Sequence, residues 1–417
     1  MKNVLIITYD MLPYSNKLGS CQRMYFLAEY LQKRNFSVIV ISCKHKFVNK
    51  TDFGYKIHFK QIAIPSSEFL IFLEKVYNYT KKKYIKLFKF ASLNEPNTLH
   101  GSAGKIWLLS AKRNIKKVII SSCIDTVIIS GPPFTLFNAV NFLKKYNGQI
   151  IVDYRDPWFD WSIISHLRKK ESKILSQVNK VMVFSELFRN DLIKEYGLDE
   201  SKCFAVYNGF NNDAWENYTQ KSFRNINEEF NSRYINVTLT GSYSLSNYDP
   251  TSIQMFLKAL FSYEHRDKFK ITIAGIKRDG HIYWENKLKN IISFSGMVEH
   301  KVAITMMLQS DILLMAYPFK DIFTSRYMIM GKFMDYIKSK KPIWGIYKYP
   351  SEFSTMIDQY KLGITCINEE VEIKKCFDIL LELKEKDNLS TLRDRNFDKE
   401  YFYNRDFQYD KFIENLS

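Results

Sequence analysis

The sequence predicts an α/β protein of two parallel-sheet domains facing each other across a cleft. Short apolar runs of strand character alternate with segments of helical period along most of the chain, as in parallel sheets joined by crossover helices. This alternation is interrupted by a polar stretch, Asn211 to Arg233, and resumes at Ile235. A chain of 417 residues with 46% hydrophobic content has enough material for two cores of ordinary size.

In the first half, Val4–Thr8 is an apolar strand and Tyr9 to Ser20 a loop carrying Pro13 and Gly19. Gln22 to Lys33 then places Met24, Leu27, Ala28 and Leu31 on one helical face, and Phe36–Ser42 is the second strand. Residues 66–92 differ, because Ile71-Phe72-Leu73, Tyr84-Ile85 and Leu87-Phe88 interleave with Lys75, Lys81 to Lys83, Lys86 and Lys89. This mixture reads as an interfacial membrane helix or as a helix with a basic solvated face, and the local charge excess favours the membrane. Strands are predicted at Lys117–Ile120, Thr126–Ser130, Gln149–Val152, Lys180–Phe184 and Cys203–Val206, with helices at Leu167–Gln177 and Ser185–Tyr196.

The second half repeats the plan. Its strands are Ile235–Gly241, Lys270–Ala274, Ile291–Phe294, Ile312–Met315, Ile343–Gly345 and Gly363–Cys366. Its helices are Thr251–Ser262, Val302–Leu308, Gly331–Ser339 and Val371–Leu383. The expected domains are therefore 1–212 and 234–395, with 213–233 as linker. Residues 396–417 form a C-terminal segment expected to pack back on the first domain.

The net charge of +17 is uneven: residues 1–150 hold 23 Lys and Arg against 7 Asp and Glu, whereas the remainder is nearly balanced. So local an excess points to an anionic partner, or to nothing more than solubility. Nucleic acid is the weaker choice, because the aromatic residues follow core periodicity and not a basic stacking array. The six cysteines include no Cys-x-x-Cys pair, so buried thiols in a reducing cytoplasm are expected. The N-terminus lacks a signal-peptide pattern, and no apolar run has the length of a spanning helix.

Charged and aromatic residues gather beyond the ends of two successive strands, at Ser130-Gly131-Pro132-Pro133 and Asp153-Tyr154-Arg155-Asp156-Pro157-Trp158. Ligands of open α/β sheets bind at that edge. Asp153, Asp156 and Arg155 suit sugar hydroxyls or the positioning of an acceptor, with one carboxylate as general base. The alternative is a structural Arg–Asp pair, with Asp156 capping a helix that starts at Pro157. Gly19 and Ser20 offer backbone N–H groups to an anion, and Arg23 a guanidinium to a phosphate. In the second half, Gly241 in Thr240-Gly241-Ser242 permits close approach of a diphosphate. Lys332 and Asp335 share one helix face, the lysine suited to phosphate and the carboxylate to a ribose diol; a surface ion pair is the plainer alternative. A Gly-x-Gly-x-x-Gly pattern is missing, which argues against a dinucleotide redox enzyme, and no His or Asp spacing suits a metal.

Taken in order, these patterns resemble the two-Rossmann-domain (GT-B) glycosyltransferases, in particular the family 4-type group that includes bacterial surface-polysaccharide enzymes. The resemblance rests on Val4–Ser42, on SGPPF with VDYRDPW, and on Val206-Tyr207-Asn208-Gly209-Phe210 as an "NG" turn. It rests also on Thr240-Gly241-Ser242, Phe294-Ser295-Gly296-Met297-Val298 and the helix Gly331 to Pro342. It implies a nucleotide-sugar donor on the second domain and an acceptor on the first, with no metal and no cofactor beyond the donor co-substrate. Met297 and Val298 would meet the base, Asp335 the ribose, and Gly241, Ser242 and Lys332 the diphosphate. The group's pair of glutamates eight positions apart becomes Tyr327 and Asp335, and no Arg or Lys occurs in Ser242–Asn247. Lys277, Arg278 or Arg326 would then supply the positive charge.

The expected protein is thus a cytoplasmic glycosyltransferase, peripheral on the inner face of the membrane, acting in cell-surface polysaccharide synthesis. It would use a lipid-linked or glycan acceptor and retain anomeric configuration, with Asp156 and Asp153 as candidate catalytic groups and Gly19, Arg23, Arg155 and Trp158 on the acceptor side. The alternatives are a non-catalytic sugar-nucleotide-binding or scaffold protein of the same fold, and a sugar-nucleotide epimerase.

Overall fold

The computed structural model describes residues 2–15, 18–45, 56–65, 101–158, 160–161, 165–219, 233–241, 243, 252–277, 280–316, 322–327, 329–394, 397 and 399–416. The candidate membrane segment 66–92 and Ser242 lie outside the described residues. The chain divides into two compact units, Met1–Val206 with Phe412–Ser417, and Tyr207–Lys411.

The first unit is built on a parallel sheet of β1 (Asn3–Ile7), β2 (Ser37–Lys44), β3 (Lys60–Pro65), β4 (Thr126–Gly131), β5 (Gln149–Tyr154), β6 (Lys180–Val183) and β7 (Cys203–Ala205). Their spatial order is β3-β2-β1-β4-β5-β6-β7. The central strands are continuous apolar runs because helices cover both faces; every residue of β4 is buried. The order reverses between β1 and β4, which opens a switch point at their carboxyl ends.

The second unit repeats this with β8 (Ile235–Thr240), β9 (Phe269–Ala274), β10 (Ile292–Gly296), β11 (Ile312–Ala316), β12 (Ile343–Tyr347) and β13 (Gly363–Ile367). These strands are parallel in the order β10-β9-β8-β11-β12-β13, with the switch point between β8 and β11. Apolar clusters flank the sheet, one around Phe256, Trp344 and Phe377 and another around Phe333, Tyr336 and Phe353.

The structure departs from the expectations at several points, β3 being a strand that was not expected. Lys117–Ile120 is not a strand but the last turn of a 21-residue helix, Gly101–Ser121. Its run of β-branched residues mimics a strand, yet Trp107, Leu108, Ala111, Ile115 and Val118 are buried at helical spacing. The helix expected from Gln22 begins at Leu18, which puts Arg23 beyond the first turn. Asn212–Thr219, within the polar stretch, is a helix that buries Trp215. Cys123 is exposed, while the other five cysteines are buried thiols as expected.

The Asn208-Gly209 turn meets residues 403–408. Phe210 N–H donates to the Tyr403 carbonyl, and Tyr207 N–H donates to Gln408 Oε1. Gly209 is required here, since its φ is +62° and a Cβ would lie 2.6 Å from Arg405 Cα. Beyond residue 411 the chain belongs to the first unit, where Lys2 Nζ donates to the Leu416 carbonyl at 2.9 Å. Among the described residues no helix is long and apolar enough to cross a membrane.

Candidate functional site

The carboxyl edge of the first sheet is largely closed by its own side chains. Arg23 runs inward from its helix and is 5% exposed. Its Nε donates to Asp153 Oδ1 at 2.9 Å, Nη1 to the Val206 carbonyl at 2.7 Å and Nη2 to the Val183 carbonyl at 3.4 Å. Ser130 Oγ donates to the second Asp153 oxygen at 2.7 Å. Arg23 and Asp153 therefore form a buried, hydrogen-bonded clasp that joins the first helix to the ends of β4, β5, β6 and β7. Arg155 donates to the carbonyl oxygens of Gly131 and Pro132. Trp158 is core: it stacks on Phe134 with ring centroids 5.4 Å apart, and Lys170 Nζ sits 5.3 Å over it. Gly19 is exposed near the start of its helix. Asp156 is half-buried, and desolvation, reinforced by the Asp153 charge against the pull of Arg155 and Arg23, holds its carboxyl above the usual range.

Behind this edge Glu171 is fully buried. It accepts from Tyr154 Oη at 2.7 Å, from Trp161 Nε1 at 3.0 Å and from Tyr196 Oη. Burial outweighs those three donors and pushes its carboxyl up to about 7.

At the carboxyl edge of the second sheet, by contrast, the described residues leave backbone and loop positions exposed. Gly241 follows β8 and is exposed, with φ +80°, and its N–H donates to the Ala274 carbonyl at 2.7 Å. Gly275 completes the close approach, since a Cβ there would run into the Gly241 carbonyl oxygen. The helix Gly331–Ser339 begins beside this turn: a Cβ on Gly241 would stand 3.7 Å from Lys332 Cδ. Tyr336 locks the helix in place, its hydroxyl accepting from Thr240 N–H at 2.9 Å and donating to the Leu314 carbonyl at 3.3 Å. Desolvation pushes the ammonium of half-buried Lys332 down to about 7.

One turn along, Asp335 Oδ1 accepts from Trp215 Nε1 at 3.1 Å, and Oδ2 lies 3.4 Å from His300 Nε2. His300 opens the helix that follows Met297 and Val298, so this pair brings the loop after β10 to Asp335. Met297 is 74% exposed, and Lys277 Cε lies 3.7 Å from where a Gly296 Cβ would be. The structure therefore brings Gly241, Lys332, Asp335, Lys277, Met297 and Val298 to one edge. Arg326 lies on the short helix Ile322–Tyr327, exposed, with its guanidinium 5.6 Å over the Tyr327 ring. Among the described residues no three His, Cys, Asp or Glu side chains converge as metal ligands.

Sequence reasoning missed four residues. Trp215 and His300 hold Asp335 from positions 120 and 35 residues away. In the first unit, Asp10 lies just past β1, with its Oδ1 accepting from Ser15 Oγ at 3.0 Å and standing 3.0 Å from His45 Nε2, just past β2. The available signal was an acid and a histidine each following a strand that borders or neighbours a switch point.

No known protein family matches the sequence, and no curated protein matches it. Solved structures do match in fold. A glycosyltransferase from Rickettsia africae ESF-5 is 15% identical with a TM-score of 0.65, over 100% of this chain and 97% of that one. HepE from Anabaena, in complex with UDP and glucose, is 11% identical with a TM-score of 0.61, over 100% and 99%. UDP-GlcNAc 2-epimerase from Neisseria meningitidis, bound to UDP-GlcNAc, is 12% identical with a TM-score of 0.58, also over 100% and 99%. The likeness spans both units, and the architecture is the α/β two-domain plan of the GT-B glycosyltransferases.

Proposed function

We propose that this chain is a glycosyltransferase that takes a hexosyl group from a nucleotide-sugar donor held by the second unit. The observation that carries this reading is the set of described residues at the switch point of that unit. There a glycine pair clears room for a diphosphate beside a helix N-terminus, a desolvated lysine adjoins it, and a carboxylate and an exposed loop lie one helical turn away. Lys332 and Gly241 face the diphosphate, with Lys277 and Arg326 as further cations. Asp335 takes the ribose hydroxyls, and the Met297–Val298 backbone takes the base. HepE, of the same fold, is solved with UDP and glucose, which supports this class of ligand.

The acceptor side belongs to the first unit. Asp156 is the carboxylate suited to proton transfer there, because its proton is held above the usual range. Asp153 and Arg23 set the shape of that edge through their clasp, together with Arg155, Trp158 and Gly19. The resemblance of the sequence supports metal-independent transfer with retained configuration, to a lipid-linked or glycan acceptor in cell-surface polysaccharide synthesis. It also supports a cytoplasmic protein peripheral on the inner face of the membrane, where the basic first third of the chain suits anionic lipid.

The test is a thermal-shift screen of UDP-, GDP-, ADP- and dTDP-sugars, with Lys332→Met alongside. Stabilisation by one nucleotide family, lost in the variant, is expected. No shift with any donor would sink the catalytic reading in favour of a scaffold protein. The epimerase of the same fold, bound to UDP-GlcNAc, favours a second reading. Conversion of the donor to its epimer with no acceptor present would establish that reading and end the first.

A further inference from the structure

We propose that the helix Gly101–Ser121 of the first unit is a docking surface for an anionic lipid membrane. The purpose of docking rests on the transferase reading above; the surface itself does not. Trp107, Leu108, Ala111, Ile115 and Val118 pack inward, and Trp107 Nε1 donates to the Ile64 carbonyl at 3.1 Å, which fixes the helix against the sheet. The opposite face is one stripe at three- and four-residue spacing: Lys105, Leu109, Lys112, Lys116 and Ile120, with Arg113 and Lys117 beside it. All of these are exposed, Leu109 by 65% and Ile120 by 79%.

Two features of the stripe select its partner. The helix carries no Asp or Glu, so its five cations are not offset from within the helix as they are where acids and bases alternate along one. The charge also continues past the helix. Lys112 Nζ lies 5.5 Å over the Phe142 ring, and exposed Lys144 and Lys145 follow that ring closely in the chain. A field of this kind attracts any dense array of phosphates. Nucleic acid, however, has no use for Leu109 and Ile120 standing among the charges. The interface of a bilayer takes both, with lysines at the headgroups and apolar side chains entering the acyl boundary.

The experiment is flotation of the full chain with phosphatidylcholine vesicles, with and without phosphatidylglycerol, at low and high salt. Binding only to the anionic vesicles, weakened by salt, is expected. Neutralising Lys112, Arg113, Lys116 and Lys117 to Gln should weaken it roughly 100-fold or more, since each basic residue near such a surface contributes about a factor of five. Leu109→Ser with Ile120→Ser should weaken binding while leaving its salt dependence in place. Both sets are exposed positions, so unchanged melting temperatures are expected and are measured alongside. Equal binding to both vesicles, no vesicle binding, or anionic binding untouched by the Gln variant would each overturn the proposal. So would a variant that loses only binding to a nucleic-acid duplex. Binding of the UDP-, GDP-, ADP- and dTDP-sugars is followed in parallel: vesicle binding without binding of any of them defeats the donor reading alone, and the reverse defeats docking alone.

Discussion

The two units share one topology and treat its carboxyl edge in opposite ways. In the first, most of the polar and aromatic groups at the ends of β4 and β5 are held internally: Arg23 grips Asp153, Arg155 grips two carbonyl oxygens, and Trp158 stacks into the core. In the second, the described residues leave Gly241 and Met297 exposed at the edge, with Lys332 desolvated beside Gly241. A switch point is thus an opportunity for binding, and the side chains beside it decide whether it is filled. The closed edge should answer to substitution through stability, and the second edge through ligand affinity.

The largest expected effect breaks the closed edge. Arg23→Met or Asp153→Leu alone leaves an uncompensated buried charge and should cost about 3–5 kcal/mol in denaturant unfolding, whereas the double exchange should recover much of it. If the single variants cost little, the clasp is not structural and both groups return as ligand contacts.

The next prediction concerns pH. Glu171 has a folded value of about 7 against an ordinary 4.5, so the folded chain holds this proton more tightly than the unfolded one. Its contribution is intact below pH 4.5 and is lost as pH rises through 7, amounting to about 3 kcal/mol over that window. Melting temperature should therefore fall as pH rises across it, and Glu171→Gln should flatten the slope. An unchanged slope in the variant would show that another group sets it.

At the second edge, Lys332→Met should leave stability unchanged or raise it, and should lower affinity for the nucleotide found in the screen by about 10- to 100-fold, the worth of a charged hydrogen bond. Because an anion raises the ammonium from about 7, binding near pH 8 should take up a proton, and affinity should fall as pH climbs above 7. Calorimetry in two buffers of different ionisation enthalpy reads this directly, and proton uptake that persists in the variant would place it elsewhere. The smallest effect is expected of Trp215→Phe, which removes the donor to Asp335 Oδ1 and should lower affinity for that nucleotide about fivefold through looser positioning. A larger loss would mean that Trp215 meets the ligand itself.

Much of the fold was legible because parallel strands buried on both faces must be continuous apolar runs, and twelve of the thirteen described strands were read that way. β3 escaped because Lys60–Pro65 is an edge strand, only partly buried and carrying polar residues. Lys117–Ile120 misled because a β-branched run reads as strand until the helical spacing before it is followed. At the candidate site, the placement of Gly241, Lys332 and Asp335 at one edge was legible because glycine turns and one-turn spacings are local. Trp215, His300 and the Asp10–His45 pair were not, since their meanings arise only across strands and helices that the fold brings together.

The sequence by itself determined the two doubly wound units, their repeated order and the asymmetric charge, all of which follow from local period and composition. Only the tertiary structure decided which charges face each other and which face outward. Arg23 and Asp153 are 130 residues apart, and nothing local distinguishes a guanidinium that waits for a phosphate from one already satisfied by a carboxylate. The reason is physical: a buried charge must find its partner wherever the fold supplies one, and chain separation has no bearing on that requirement.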